Sequence, residues 1–141
     1  MARIRMGMVG GGEGAFIGAV HRMAAMLDGE IELVCGAFSG NAERSRRSGK
    51  ALYLPHDRVY GDYRKMMAAE AARPAAERMQ FVAIVTPNDV HFPVAEAALS
   101  GGFHVLSEKP ATLNLEEALR LRDILQDSGL LYCLTHTYTG Y

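Results

Sequence analysis

Glycines that could bind a phosphate stand near the start of the chain, directly after a short apolar run. The segment Gly10-Gly11-Gly12-Glu13-Gly14 separates that run from residues with helical spacing. A turn of this kind directs bare backbone N–H groups at one point, and the N-terminus of the helix adds partial positive charge there. Gly10 and Gly12 would supply the tight turn and the close approach of backbone to ligand. The pattern predicts a pyrophosphate-binding loop.

The third glycine of this pattern can be assigned in two ways. Ala15 completes a Gly-x-Gly-x-x-Ala spacing, whereas Gly18 completes a slightly longer loop. We favour Gly18, because the start of a helix packed closely on a sheet tolerates almost no side chain. A glycine run can also be a plain turn, but the strand before it and the helix after it favour the binding loop.

A second group of polar residues follows the next apolar run, residues 31–38. Dinucleotide-binding folds carry an acid about twenty residues past the glycines, where it binds the ribose hydroxyls. This chain has Ser39 at that point, and Arg44 follows. The missing acid removes the repulsion against a 2′-phosphate, so NADP is allowed and slightly favoured over NAD. The alternative is that these arginines form a solvated helix face with Asn41 as the N-cap, which we prefer for Arg46 and Arg47.

Two further motifs follow predicted strands. Thr86-Pro87-Asn88 comes after residues 81–86, and Glu108-Lys109-Pro110 comes after residues 103–106. An ammonium group such as that of Lys109 can stabilise an alkoxide-like oxygen as hydride leaves the adjacent carbon. The alternative for Lys109 is an exposed loop lysine without a function.

The elements that must position these motifs alternate between strand and helix. Residues 16–27 have helical spacing, with Ile17, Val20, Ala24 and Leu27 on one face. A further helix is predicted from an N-cap at Asp62 to Ala72, with Met66 and Met67 filling the core, and others are predicted up to Ser100 and Gln126. Strands are predicted at residues 3–9, 31–38, 58–60, 81–86, 103–106 and 130–134. Such alternation is typical of an α/β fold with a doubly wound parallel sheet. Ligands of these sheets bind beyond the carboxyl ends of the strands, where all the motifs above stand.

Composition predicts one domain of ordinary globular character. The 141 residues are 49% hydrophobic and 22% charged, and the net charge of −1 gives no global field that attracts nucleic acid or an anionic membrane. No segment has the apolar length of a membrane span. Cys35 and Cys133 lie in strand-like runs, which favours buried, reduced thiols of a cytoplasmic protein. No group of residues has metal-ligand spacing.

Taken together, Gly10-x-Gly12, Thr86-Pro87-Asn88-x-x-His91 and Glu108-Lys109-Pro110 resemble the motifs of the Gfo/Idh/MocA oxidoreductases. The resemblance covers that family's N-terminal NAD(P)-binding Rossmann domain, which here would be residues 1–141. It implies that Lys109 is the catalytic lysine and that the Lys109–Pro110 bond is cis. It also implies cofactor contacts for the glycine loop with Phe16 and Ile17, for Ser39 and Arg44, for Thr86, Asn88 and His91, and for Glu108 and Lys109. His91 could instead fix its loop by bonding to backbone.

The resemblance further implies a second α/β domain that supplies the substrate pocket and an acid/base group. The full-length protein would then be a homo-oligomer that transfers hydride between nicotinamide and a small molecule, namely a sugar, polyol or related hydroxyl carbon. Two alternatives remain open at this stage: a glycosidase that uses bound NAD transiently, and a module that senses NAD(P) without catalysis.

Overall fold

A computed structural model describes residues 3–136, which form a parallel sheet with helices on both faces. The strands are β1 (Ile4–Gly10), β2 (Ile31–Ala37), β3 (Phe81–Val85), β4 (His104–Ser107) and β5 (Tyr132–Leu134). The helices are α1 (Phe16–Met26), α2 (Ala42–Ala51), α3 (Tyr63–Ala71), α4 (His91–Ser100) and α5 (Leu115–Ser128). Two short 3-10 helices, His56–Arg58 and Asn88–Val90, lie between them.

The strand order confirms the predicted doubly wound architecture. The order is β2-β1-β3-β4-β5, and all neighbouring strands are parallel. The chain passes from β1 to β2 in one direction and from β3 through β4 to β5 in the other. The order therefore switches between β1 and β3, where ligands of such sheets bind beyond the strand ends.

The strand predicted at residues 58–60 is wrong. This segment begins with a 3-10 helix, and within the described range it meets the sheet only through an isolated bridge between Val59 and Gly36. The Tyr60 N–H donates to the Gly36 carbonyl over 2.8 Å. A single bridge is not a ladder, so the described part of the chain has five strands rather than six.

The apolar core lies in two layers, one on each face of the sheet. Under α1 the buried residues are Met6, Met8, Phe38, Ala83 and Val85. The layer on the other face is larger and includes Met66 and Met67, the two methionines of α3 predicted to fill the core. Both faces of the central strands are therefore covered, which explains their continuous apolar runs.

Helix α1 is present as predicted, but of the face suggested by the apolar spacing only Ile17 packs on the core. Val20 is 37% exposed and Leu27 is 86% exposed, whereas Gly18 is buried and Ile17 and Ala25 pack on the core. The reason is steric: the helix lies so close to the glycine loop that a small residue must face inward. Its apolar outer face, with Val20, Met23 and Leu27, is not covered by the described residues.

The two cysteines lie in different environments. Cys35 is fully buried, and desolvation together with the nearby Glu70 carboxylate raises the pKa of its thiol far above the ordinary value. Cys133 is exposed, so the prediction of a buried thiol was wrong for this residue. It lies on the three-residue edge strand β5, which has a strand neighbour on one side only.

Neither a membrane span nor a metal site occurs in the part of the chain that the structure describes. In residues 3–136 no helix is long and apolar enough to cross a membrane. The same residues contain no group of three or more His, Cys, Asp or Glu side chains that could hold a metal ion.

Candidate functional site

A cleft of about 530 Å³ opens at the carboxyl ends of β1, β2 and β3. Its lining contains five of the residues singled out from the sequence: Gly10, Gly12, Ser39, Arg44 and Thr86. These residues follow or end three different strands, so the doubly wound topology brings them together. The cleft lies at the switch in strand order between β1 and β3.

Two glycines keep the wall of this cleft free of side chains. Gly10 has a φ of +83°, and a Cβ atom there would lie 2.7 Å from the Val85 carbonyl oxygen. A Cβ atom on Gly12 would lie 2.7 Å from the Phe38 carbonyl oxygen. A backbone carbonyl is an obstacle in both cases, joined at Gly12 by Ser48 Oγ at the same distance, so neither position accepts alanine without a shift of the loop.

The N-terminus of α1 has no side-chain cap. Ala15 occupies the N-cap position, and no side chain accepts a hydrogen bond from the first-turn amides there. Helices usually satisfy these donors with a capping side chain, water or a ligand. Phe16, the first residue of α1, is 83% exposed, while Ile17 packs on the core. An anion at this end of the helix would meet unpaired N–H groups and the favourable end of the helix dipole.

Gly18 fills the role of the third glycine. A Cβ atom at this position would collide with the Cα atom of Gly11. The assignment of Gly18 rather than Ala15 as the closely packed position is therefore correct. The neighbour that excludes a side chain is the glycine loop itself.

Two further residues, Arg22 and Ser48, bind the backbone of the glycine loop. Neither was identified from the sequence. Arg22 Nη1 donates to the Gly11 carbonyl over 2.8 Å, and burial lowers the pKa of its guanidinium from the ordinary value. Ser48 Oγ accepts a hydrogen bond from the Glu13 N–H at 3.0 Å and donates to the Arg44 carbonyl at 2.9 Å. Arg22 stands four residues after Gly18, on the same helix face, and that spacing was the available signal.

The segment after β2 is built by local capping. The Asn41 side chain accepts from the Arg44 N–H at 2.9 Å, which confirms the predicted N-cap of α2. Ser39 Oγ accepts from the Asn41 N–H at 3.1 Å. Arg44 is exposed at the cleft, and none of the ion pairs within residues 3–136 includes it.

The acidic residues in the cleft lining come from other segments. They are Glu13 of the glycine loop and Asp62, which precedes α3. The Asp62 carboxylate accepts hydrogen bonds from first-turn amides of α3 and so serves as the predicted helix cap. Glu13 lies 3.4 Å from the Arg47 guanidinium. Thus no carboxylate stands at the end of β2, where Ser39 lies.

His91 joins the loops that follow β3 and β4. Its side chain is 1% exposed, with Nδ1 2.7 Å from the Pro110 carbonyl oxygen and Nε2 2.9 Å from the Thr86 carbonyl oxygen. Both ring nitrogens thus face backbone, which favours the loop-fixing alternative left open by the sequence. Thr86 Oγ1 is buried without a hydrogen-bond partner among the described residues. Asn88 is exposed at the start of its 3-10 helix.

The Glu108-Lys109-Pro110 segment lies beside the end of β3. The Glu108 N–H donates to the Ile84 carbonyl over 3.0 Å, which extends the pairing of β4 with β3 by one residue. Lys109 is exposed, and none of the ion pairs recorded from Arg3 to His136 involves its ammonium group. The Lys109–Pro110 peptide bond is cis, as predicted.

The cleft lining does not contain every residue predicted for the site. Those that lie outside it are Phe16, Ile17, Asn88, His91, Glu108 and Lys109. Backbone pairing nevertheless connects the two groups: Gly10 is paired with Val85, and Glu108 is bonded to Ile84. The glycine loop and Lys109 therefore stand at the same edge of the sheet, at the ends of β1 and β4 on either side of β3.

The Glu108 carboxylate has a partner that the sequence did not reveal. His21 of α1 lies with Nε2 2.8 Å from Glu108 Oε1. The two residues are 87 positions apart in the chain, and no local pattern signals their contact. Glu108 Oε2 in turn accepts from the Lys109 N–H at 3.2 Å.

Comparison with known proteins gives a consistent result. The model of the Gfo/Idh/MocA oxidoreductase family, described by its NAD-binding Rossmann fold, matches residues 4–136. A curated relative, the uncharacterized oxidoreductase YfiI of Bacillus subtilis, is 34% identical over 138 residues. That match covers 97% of this chain and 35% of the relative, so this chain spans about a third of the relative's length.

Solved structures of similar proteins have the same fold as this chain and match nearly all of it. An oxidoreductase from Sinorhizobium meliloti is 48% identical with a TM-score of 0.91, over 100% of this chain and 39% of that one. An inositol dehydrogenase homologue from Azotobacter vinelandii, solved with NADH and myo-inositol, is 42% identical with a TM-score of 0.93. That match covers 98% of this chain and 36% of the homologue. The chain therefore belongs to the Gfo/Idh/MocA oxidoreductase family and contains its NAD-binding Rossmann domain.

Proposed function

We propose that this chain is the cofactor-binding domain of an NAD(P)-dependent oxidoreductase that acts on a sugar, a polyol or a related hydroxyl carbon. The observation that carries the proposal is that the glycine loop and Lys109 lie at the same edge of the sheet. The Lys109 ammonium group is in no ion pair of the described residues. The cleft at the ends of β1, β2 and β3 has the position expected for a dinucleotide. The proposal also assigns a second domain to the full-length protein, consistent with the greater length of the relatives.

The residues present fit a dinucleotide. In the proposed complex, the pyrophosphate lies on the amides of Gly10 to Gly12 and on the uncapped first turn of α1, which includes Phe16 and Ile17. The buried, unpaired Thr86 hydroxyl is available to a polar group of the nicotinamide half, and Asn88 stands beside it in the chain. His91 supports that half indirectly, because its ring lies between the Thr86 and Pro110 carbonyls and its N–H donates to one of them.

Lys109 is the residue to which we assign the chemical step. When bound, oxidised nicotinamide supplies the hydride acceptor, and the substrate carbon is oxidised from carbinol to carbonyl as its hydroxyl proton leaves to a base. The Lys109 ammonium donates a hydrogen bond to the substrate oxygen and stabilises negative charge that develops there. Glu108 lies at the same strand end and fixes the backbone of Lys109. We assign the base to the second domain.

The direct test is turnover by the full-length protein on a panel of polyols and sugars, followed through nicotinamide absorbance. We expect oxidation of at least one member, with myo-inositol included because the A. vinelandii homologue was solved with it. Absence of nicotinamide reduction across the panel would contradict the proposal. Release of sugar from glycosides without net NADH would instead support the glycosidase alternative, and binding without either activity would support the sensor.

A finer proposal concerns the cofactor. Ser39 stands where an acid would repel a 2′-phosphate, and the unpaired Arg44 guanidinium lies at the same part of the cleft. We expect NADPH to bind about tenfold more tightly than NADH, since a charge-assisted hydrogen bond contributes about 1.5–3 kcal/mol. Fluorescence titration with both cofactors measures this ratio. Arg44→Ala should abolish the preference, whereas Arg46→Ala, an exposed arginine on the same helix, should keep it.

Equal affinities in the unmodified protein, or tighter binding of NADH, would contradict the role of Ser39 and Arg44 while leaving the dinucleotide proposal intact. A preference that persists in Arg44→Ala would remove the arginine from the argument and leave Ser39 as its basis.

A further inference from the structure

His21 and Glu108 form a largely buried pair between a helix and a strand end. His21 Nε2 lies 2.8 Å from Glu108 Oε1, and the two side chains are 11% and 12% exposed. A carboxylate oxygen can only accept a hydrogen bond, so Nε2 is the donor. The pair connects the second turn of α1 with the residue that follows β4.

The same carboxylate also contacts Lys109. Glu108 Oε2 accepts from the Lys109 N–H at 3.2 Å, so one carboxylate connects α1 with the backbone of Lys109. On the other side of Lys109, the Pro110 carbonyl oxygen lies 2.7 Å from Nδ1 of His91 in α4. Two histidines from two different helices thus fix the residues before and after Lys109.

The docking of α1 does not depend on this pair. Ile17 and Ala25 pack on the core, Gly18 lies against Gly11, and Arg22 is bonded to the Gly11 carbonyl. These contacts already fix the helix on the sheet. A histidine directed at a carboxylate beside an exposed lysine is therefore better explained by what it does to that lysine than by helix packing.

We propose that His21 is a positioning residue that acts through Glu108 on Lys109. The inference rests on the proposed function, in which the Lys109 ammonium meets the substrate oxygen. Without the His21 bond, the Glu108 side chain can adopt other rotamers and lose its hydrogen bond to the Lys109 N–H. The Lys109 backbone is then held less firmly, so the position of its ammonium group is less well defined. A displacement of about 1 Å at a reacting group can cost about a hundredfold in rate.

The test compares two substitutions of similar size that differ in hydrogen bonding. In the full-length protein, with NAD+ or NADP+ and the best substrate of the panel, His21→Met should lower kcat about 10–100-fold. The KM for the cofactor should stay within about twofold. His21→Gln, whose amide can still donate to Glu108, should recover most of kcat. His56→Ala is the matched control, because His56 is exposed on a 3-10 helix away from the site, and its kcat should be unchanged.

A double-mutant cycle that also replaces Glu108 gives a second measurement of the same interaction. Glu108→Gln should also lower kcat, and combining it with His21→Met should add little, because both substitutions break the same chain of contacts. This arm remains informative if His21→Met does not fold, because His21→Leu also lacks a donor to Glu108 and can take its place in the cycle.

Several results would overturn the inference. They are unchanged kcat in His21→Met, a loss confined to cofactor affinity, equal kcat in His21→Met and His21→Gln, and additive effects in the cycle. Failure of the proposed function is distinguishable, because it appears as absent turnover by the unmodified protein before any substitution is made, and the inference then falls with it.

Discussion

Replacing Lys109 with alanine is expected to lower kcat of the full-length protein about 10²–10³-fold, the range found when one donor to a developing oxyanion is removed. Lys109 is exposed, its side chain is in no ion pair of the described residues, and it lies beyond the cleft lining. Cofactor affinity should therefore change by less than about threefold. Steady-state kinetics with a separate fluorescence titration distinguish the two effects.

Lys65→Ala provides the control for this substitution. Lys65 is also exposed, but it lies on α3 and outside the cleft lining, so its removal changes the overall charge without touching the proposed site. Activity should stay at the unmodified level. If Lys109→Ala retained full kcat, Lys109 would have no chemical role, and the sensor alternative would gain support.

The parts of the fold that sequence could predict are those set by local chemistry. Gly10 was identified because a turn with positive φ next to backbone carbonyl admits almost only glycine, and the structure has that geometry. Asn41 and Asp62 were identified as helix caps because short polar side chains bond their own first turn, and both do so. The alternation of strands and helices likewise predicted a parallel sheet, because it can be read from local apolar patterns.

The parts that sequence could not predict depend on long-range contacts. Nothing near His21 indicates Glu108, because the two meet only after α1 and β4 have packed on the same sheet. The outer face of α1 carries Val20, Met23 and Leu27, so apolar spacing alone predicted the inner face correctly only at Ile17. Cys133 was misassigned because an edge strand and a central strand have similar composition, and only their neighbours differ.

A buried ionic cluster behind the sheet is another feature that no motif signalled. Glu70 of α3 is 0% exposed. Its carboxylate accepts from Arg58 at 2.6 Å and 3.1 Å, from the Tyr60 hydroxyl at 3.2 Å and from the Met79 N–H at 3.0 Å. Burial and the negative charge of Glu70 raise the pKa of Tyr60 to about 12, so the hydroxyl stays protonated as a donor. The cluster joins α3 to the end of the first 3-10 helix (His56–Arg58), to Tyr60 just after it, and to the turn before β3.

Glu70→Ala is expected to destabilise the domain by about 3–5 kcal/mol, because it leaves the Arg58 charge without its buried partner. The Tyr60 hydroxyl and the Met79 N–H also lose their acceptor, which adds to the cost. Urea unfolding should show a lower midpoint with an unchanged m-value. Glu77→Ala is the matched control, since that side chain is exposed and only its backbone carbonyl contacts Arg58, at 3.3 Å.

An apolar double substitution separates the lost charge pair from the lost packing. In Arg58→Met with Glu70→Leu, no charge is left buried alone, and replacing a buried ion pair by apolar side chains is often neutral. The double variant should therefore be more stable than Glu70→Ala, although the Tyr60 hydroxyl and the Met79 N–H still lack an acceptor. If Glu70→Ala unfolded at the unmodified midpoint, the cluster would contribute nothing to stability. If the double variant were less stable than Glu70→Ala, loss of packing and hydrogen bonds, rather than an unpaired charge, would explain the effect.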